Sequence, residues 1–448
     1  MANGQFSKVL DNDDIVLTDE FVDALNLLEN TGNHIFVTGN AGTGKSTLIS
    51  LWRKSTTKKV ALVSPTGIAA MNIGGQTIHS FFDFPLTYID PSAIHRSRKL
   101  EAIYRSIESI IVDEISMVRA DMLDGMDKAL RINRSNQEPF GGVQMIFVGD
   151  LHQLPPVVAD DQSREYIKAN YNSEYFFDAK VLKENYAQRQ LLSFSKQDLK
   201  MVKLSKIFRQ ADMDFIDILN EIRNGDISDE KLDLLNTRYK DIEFTEYFEN
   251  NLKIILSTNN RKVNSINEFK LRSIENDEYE YDAEISGEYG KAFPTDSSLK
   301  LRIGAQIMML KNDTERRWVN GSLGTIEALS KDSVTVNING EIYEVEKAPW
   351  RKIEYRVNYE NNRLEEYELG TFTQFPLKLA WAITIHKSQG QTFEKAVIDL
   401  DRGTFAHGQL YVALSRCKTL EGIDLLQKVQ RSDIKSDTRI RNWLSTFD

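Results

Sequence analysis

His34-Ile35-Phe36-Val37-Thr38-Gly39-Asn40-Ala41-Gly42-Thr43-Gly44-Lys45-Ser46-Thr47-Leu48-Ile49-Ser50-Leu51-Trp52 is the stretch on which the fold turns. A β-rich run over 34–38 meets a glycine turn, and 47–52 reads as a helix. Between them stands a full G-x-x-x-x-G-K-[ST]. Small residues from Gly39 to Gly44 let backbone N–H groups wrap phosphates, Lys45 reaches the β- and γ-phosphates, and the Ser46 hydroxyl suits Mg²⁺. A glycine turn that matches by accident is the bland alternative, and the strand and helix flanks argue against it. The spacing predicts strand, phosphate loop, helix.

Outward from this loop, Val60–Val63, Ser109–Val112 and Val143–Val148 are apolar runs separated by helical patterns, as in a buried parallel sheet of an α/β layer. Ser109–Val112 ends in Asp113-Glu114. Asp113 is placed for Mg²⁺ and Glu114 for polarising an attacking water. Alone, such a pair is usually a strand end meeting solvent; with the phosphate loop upstream it indicates NTP hydrolysis. After Val148 comes Gly149-Asp150-Leu151-His152-Gln153-Leu154-Pro155-Pro156, where the Gln153 amide suits the γ-phosphate or the water and the prolines stiffen the exit.

At 448 residues the chain has room for about three domains. Leu252–Leu256 and Ala396–Leu400 are candidate strands of a second α/β core, and the acidic stretch 273–290 reads as a solvated linker or surface hairpin. From about 295 to 373, short alternating pieces such as 333–337 and 341–345 suggest a small β-rich insertion. No apolar run approaches the roughly 18 residues of a membrane span. The acidic opening, 1–20, lacks the character of a targeting peptide, so a cytoplasmic site is expected, at the nucleoid if the source is prokaryotic. One thiol, Cys417, excludes an internal disulfide and multi-thiolate metal sites. The net charge of −10 argues against bulk DNA coating but leaves room for a local basic groove.

The ordered segments resemble superfamily-one DNA helicases of the 5′-to-3′ branch, most closely the Pif-type (petite integration frequency) helicases, with RecD and the phage Dda helicase as relatives. The matching residues are 39–47, Ser64–Ala70, Gln76–Phe82, Asp113–Met117, Gly149–Pro156, Leu204–Gln210, Ser257–Asn260, Ala382–Thr392 and Gln409–Arg416. Residues 116–124 and Pro139–Gln144 look like the signature segment of this branch. Met117, Met122, Leu123, Met126 and Leu130 have helical spacing and a plain packing role, while Arg119 and the Pro-Phe-Gly-Gly turn are weighed as DNA contacts.

The resemblance implies an α/β fold of two RecA-like parallel-sheet domains, with a short wedge insertion in the first and an SH3-like β domain inserted in the second. The expected division is 1–195 for the first domain, with the wedge as a stiff hairpin at 83–100 and the signature at 116–142. The second domain takes 196–292 and 374–448, interrupted by the SH3-like insertion at 293–373. Trp318 is read as core of that insertion. Lys45, Asp113, Glu114 and Gln153, with Arg209 and Arg416 as arginine fingers from the second domain, would carry hydrolysis. Gly39, Asn40, Ala41, Gly42, Thr43, Gly44, Lys45, Ser46, Thr47, Gly390 and Gln391 would hold ATP, with Mg²⁺ on Ser46 and Asp113. Phe21 stands where such helicases often carry a Gln that reads adenine.

For DNA, the resemblance implies Pro65, Thr66, Gly67, Thr77, His79, Asn259, Thr384, His386, Lys387 and Ser388 as backbone contacts. His79 or Phe82 could stack on a base, and Phe82 is equally suited to core packing. His386 is read as a scaffold or backbone contact, since no second His stands at metal spacing. The implied activity is ATP-dependent 5′-to-3′ translocation on single-stranded DNA, unwinding duplex and G-quadruplex at single–double-strand junctions, by a monomer. The associated roles are DNA repair, recombination and telomere maintenance. The long flanks of many eukaryotic members are expected to be absent. An ATP-gated single-strand clamp or remodeller without processive unwinding, and an RNA helicase, stay open as alternatives.

Overall fold

The computed structural model describes residues 18–183, 199–208, 210, 212–241, 252–290, 293–358, 360 and 363–447. The first sheet contains β1 (His34–Gly39), β2 (Val60–Ser64), β3 (Gln76–Thr77), β4 (Ser109–Val112), β5 (Gln144–Val148) and β6 (Leu199–Leu204), in the order β3-β2-β4-β5-β1-β6. Every pairing is parallel. Parallel sheets need cover on both faces, and the apolar runs supply it. On one face Phe21, Leu25, Leu48 and Trp52, from helices Asp19–Asn30 and Lys45–Ser55, meet Ile35, Val37, Ile111 and Ile146. On the other, Leu123, Met126 and Leu130 of helix Ala120–Arg134 pack with Phe36, Ile110, Val112 and Phe147.

The chain then forms β7 (Ile254–Ser257) and helix Asn260–Arg272 before leaving the second core. Ten strands follow. They are β8 (Glu278–Asp282), β9 (Glu284–Gly287), β10 (Ser298–Arg302), β11 (Gln306–Met309), β12 (Leu323–Leu329), β13 (Val334–Ile338), β14 (Glu341–Val345), β15 (Ala348–Asn358), β16 (Arg363–Gln374) and β17 (Leu377–Leu379). A five-stranded antiparallel sheet, β14-β13-β12-β11-β17, carries most of the apolar interior, with Trp318 in that core. The second core resumes with β18 (Ala382–Thr384), β19 (Ala396–Asp399) and β20 (Ile423–Leu425), in the parallel order β18-β7-β19-β20.

Three expected divisions need correction. β6, assigned to the second domain by a boundary at 196, is the edge strand of the first sheet, paired with β1 from His34↔Leu199 to Gly39↔Leu204. The insertion is wider than 293–373: β8 pairs with β10, β9 with β16, and β17 with β11. The acidic stretch thus supplies strands, because Tyr281 turns inward onto the core shared with Leu299 and Leu301. Helix Thr438–Leu444 packs on the first core, not the second. Ile440 is buried there, and the Trp443 ring stacks on Phe177 at 5.0 Å.

The wedge, 83–100, contains one 3₁₀ turn, Pro91–Ala93, and no strand, so the expected stiff hairpin is absent. The signature helix holds it instead. Asp121 Oδ2 accepts from Ile89 N (2.7 Å), Arg119 donates to Thr87 O (2.7 Å), and Asn133 Oδ1 accepts from Ser97 N (2.9 Å). A Cβ on Gly125 would lie 2.7 Å from Ile89 Cγ2. Arg119 is buried and doubly bonded to Asp121, and Phe140 is buried against His34 and Phe147. Arg119, Phe140 and Gly141 are therefore spent on packing, while Pro139 and Gly142 stay partly exposed.

The hairpin β15–β16 leaves the insertion and docks on the first domain. Tyr355 enters its core and accepts from Leu62 N at 3.3 Å, with Arg53–Glu366 and Lys99–Glu354 pairs at 2.9 Å on either side. Cys417 lies fully buried in the second core.

Candidate functional site

Between the two parallel cores opens a cleft of about 1070 Å³. The phosphate loop forms one wall. Gly42 and Gly44 hold left-handed backbone (φ 84° and 85°), and Gly44 leads directly into helix Lys45–Ser55. Lys45 Nζ donates to Gly39 O (2.8 Å) and Asn40 O (3.0 Å). Its pKa is lowered by burial against the opposing pull of Asp150, Glu114 and Asp113. The Thr43 hydroxyl points back to Asn40 O, while Ser46 and Thr47 are exposed to the cleft.

At the end of β4, Glu114 takes left-handed backbone (φ 52°) and its N–H donates to Asp113 Oδ1 at 2.9 Å. Burial raises the Asp113 carboxyl; burial and then the neighbouring Asp113 raise Glu114 to about 7. Such a value suits a base working near neutrality. Hydroxyl and carboxylate oxygens at Ser46 and Asp113 are hard donors and fit Mg²⁺.

Gln153 is buried at the cleft, and its Oε1 accepts from Gln389 Nε2 at 3.2 Å; the same amide lies 3.4 Å from Glu114 Oε2. Gln389 was not among the residues singled out from sequence, although it sits inside the Lys-Ser-Gln-Gly motif. Arg416 lines the cleft from the second core. Its guanidinium donates to Val412 O (2.9 Å), Gln391 O (3.2 Å) and Ser415 Oγ (2.8 Å). Arg209 lies outside the described residues. Gly390 lines the cleft, whereas the Gln391 side chain is buried beside Gly321 of the insertion. That turn, Val319 to Leu323, closes one side of the cleft, and Phe21 and Phe208 face it near Gly44. No sequence signal marked the insertion as a wall of this site.

A second network joins the phosphate loop to the second core. Ala41 N–H donates to the Tyr411 hydroxyl (3.1 Å), which donates to Asp150 Oδ2 (3.1 Å). Arg223 donates to Asp150 Oδ1 (3.1 Å), and Asn40 Nδ2 to Asn220 Oδ1 (2.8 Å). Burial would raise the Asp150 carboxyl, but Arg223, His152 and Lys45 override it and bring it down to about 2. His152 falls to about 4, from burial and then Arg223, so its ring is neutral.

The expected DNA residues divide. Pro65, Thr66 and Gly67 follow β2 and are partly exposed, with Thr66 capping helix Gly67–Ile73. Thr77 caps helix Ile78–Phe82, and His79 is half-buried, its pKa lowered by burial and by Arg119. Asn259 Oδ1 caps helix Asn260–Arg272 by accepting from Arg261 N and Lys262 N. Phe82 is core: it stacks on Phe84 and Tyr104. Thr384 and Ser388 are also buried. The Thr384 hydroxyl accepts from Lys387 N (3.3 Å) and the Ser388 hydroxyl donates to Ile385 O (2.8 Å). They shape the turn that displays Lys387, which is exposed, and His386, which is half-buried.

Two facing parallel α/β cores, a phosphate loop and acid pair on one and an arginine on the other, define a P-loop nucleotide hydrolase of the two-domain helicase class. A model of the PIF1-like helicase family matches residues 10–233, and one described as the 2B domain of DNA helicase Pif1 matches 291–329. The ATP-dependent DNA helicase Pif1 of Bdellovibrio bacteriovorus is 32% identical over 466 aligned residues, covering 100% of this chain and 96% of that one. The crystal structure of Bacteroides sp Pif1 in complex with ADP-AlF4 superimposes with a TM-score of 0.87 at 38% identity over 97% of each chain. Bacteroides Pif1 bound to ssDNA gives 0.69, at the same identity and coverage. The chain belongs to the PIF1-like helicase family, a superfamily-one helicase with two RecA-like domains and an inserted β domain.

Proposed function

We propose that the chain couples ATP hydrolysis to 5′-to-3′ stepping along single-stranded DNA, unwinding duplex and G-quadruplex at junctions, as a monomer. The loop after β18 carries this reading. It exposes Lys387 beside half-buried His386, while Gln389, two residues on, reaches Gln153 and Glu114. A strand held by its phosphates at Lys387 is thereby one short turn from the group that polarises the water. Glu114 acts as base, Gln153 orients the water, and Lys45 turns from its carbonyl partners to the phosphates. Arg416, and Arg209 by its motif position, serve the transition-state charge. Ser46 and Asp113 would hold Mg²⁺, which when bound neutralises phosphate charge. DNA repair, recombination and telomere maintenance are the settings the family resemblance suggests.

The test is strand displacement on partial duplexes with a 5′ or a 3′ single-stranded tail, with ATP and Mg²⁺ and a Lys45→Ala control. Opening of the 5′-tailed substrate alone, lost in the control, is expected. Opening of only the 3′-tailed substrate reverses the polarity. DNA-stimulated hydrolysis without strand separation leaves the clamp reading, and stimulation by RNA above matched DNA leaves the RNA reading.

A further inference from the structure

Phe405 is 65% exposed, yet the loop that carries it is firmly held. Its N–H and that of Ala406 both donate to Oε1 of fully buried Gln409, at 2.9 and 3.2 Å. Thr404 N–H and hydroxyl bond Asp433, and Lys435 Nζ donates to Thr404 O. On the far side His407 Nε2 lies 3.1 Å from Leu151 O, and a Cβ on Gly408 would stand 2.5 Å from Gln153 O. A ring of this size forgoes a large burial by facing water. The loop backbone is thus fixed beneath the exposed ring.

The Phe405 ring lies nearly parallel to that of His386, with 16° between planes and 6.4 Å between centroids. His386 and Lys387 follow β18, Asn259 follows β7 and Phe405 follows β19. These three strands are neighbours in one parallel sheet, and their carboxyl ends open on one edge. Lys387 and Arg402 are exposed beside the two rings in sequence. Cations for phosphates interleaved with flat aromatic faces are what a single strand requires, and stacking tolerates every base.

We propose that Phe405, backed by His386, is a stacking platform for a base of single-stranded DNA whose backbone is held at Lys387. It rests on the single-strand reading above and adds a contact to the base that the phosphate-binding residues do not provide. The contact is sequence-independent, because the ring offers a face and no hydrogen-bonding edge.

Fluorescence anisotropy with a labelled oligo(dT) and an abasic oligomer of equal length tests this on the full chain. Phe405→Ala should weaken oligo(dT) binding by roughly 5- to 100-fold. Phe405→Tyr should retain it, and ATP turnover without DNA should be unchanged in both. The abasic oligomer, which has phosphates but no bases, should bind the unmodified chain and Phe405→Ala alike. Equal oligo(dT) binding by Phe405→Ala overturns the platform, as does an equal loss on the abasic oligomer. If the unmodified chain binds neither oligomer, the single-strand reading itself fails, a result distinct from either.

Discussion

Glu114 combines a left-handed backbone with a carboxyl raised to about 7 by burial and by Asp113. The carboxylate is the form that accepts a proton, and it is depleted as pH falls through that value. The expected profile of kcat/KM for ATP, which reports the free enzyme, is therefore a decline below about pH 7. A flat profile from pH 8 to 5.5 would remove Glu114 as base. Glu114→Gln should keep nucleotide binding and lose turnover by at least about 100-fold. At this scale Lys45, Ser46, Glu114 and Gln153, which meet at one cleft, were legible in the sequence, because each sits at a fixed offset from a glycine turn or a strand end; Gln389 and the Val319–Leu323 turn were not. The DNA residues were less so. Thr384, Ser388 and Phe82 stand in the right motifs, but a motif does not say which side of a turn faces inward, and these three are spent on holding it.

Among the elements, helices Met213–Asn224 and Gln409–Leu414 bring Arg223 and Tyr411 onto Asp150 beside the phosphate loop. Nothing in the sequence signalled Arg223, since its partner lies 73 residues away and the pairing exists only across the two cores. Asp150→Asn leaves the buried Arg223 without its carboxylate, a change expected to cost about 3 kcal/mol or more, read as a lower urea midpoint. The native carboxyl is depressed to about 2, so its stabilising share is complete above the ordinary carboxylate range and is lost as pH falls through 2. An unchanged midpoint would show that water replaces the aspartate. Tyr411→Phe tests the coupling more gently. It removes the acceptor of Ala41 N–H and one donor to Asp150 while keeping the packing, and should raise KM for ATP with little change in stability. Strands escaped sequence reading for two reasons. β6, an edge, mixes two lysines among its apolar residues without a clean period, and β18 and β20 are three residues each, too short for a period to register.

Across the whole molecule, the β15–β16 hairpin and helix Thr438–Leu444 both return to the first domain. If DNA binding lifts this hairpin from the first domain, oligo(dT) should speed amide hydrogen exchange over 353–357 and 364–367, where ADP-AlF4 alone should not. Unchanged protection with oligo(dT) bound would mean that the hairpin stays docked. Cys417 gives the means to watch such a movement. Its thiol is buried, and burial pushes it up to about 12. Maleimide dyes at neutral pH should pass over it, so a donor and an acceptor placed on two introduced surface cysteines would label the native background cleanly. Opening and closing of the cleft then becomes a single-molecule energy-transfer trajectory, followed turnover by turnover.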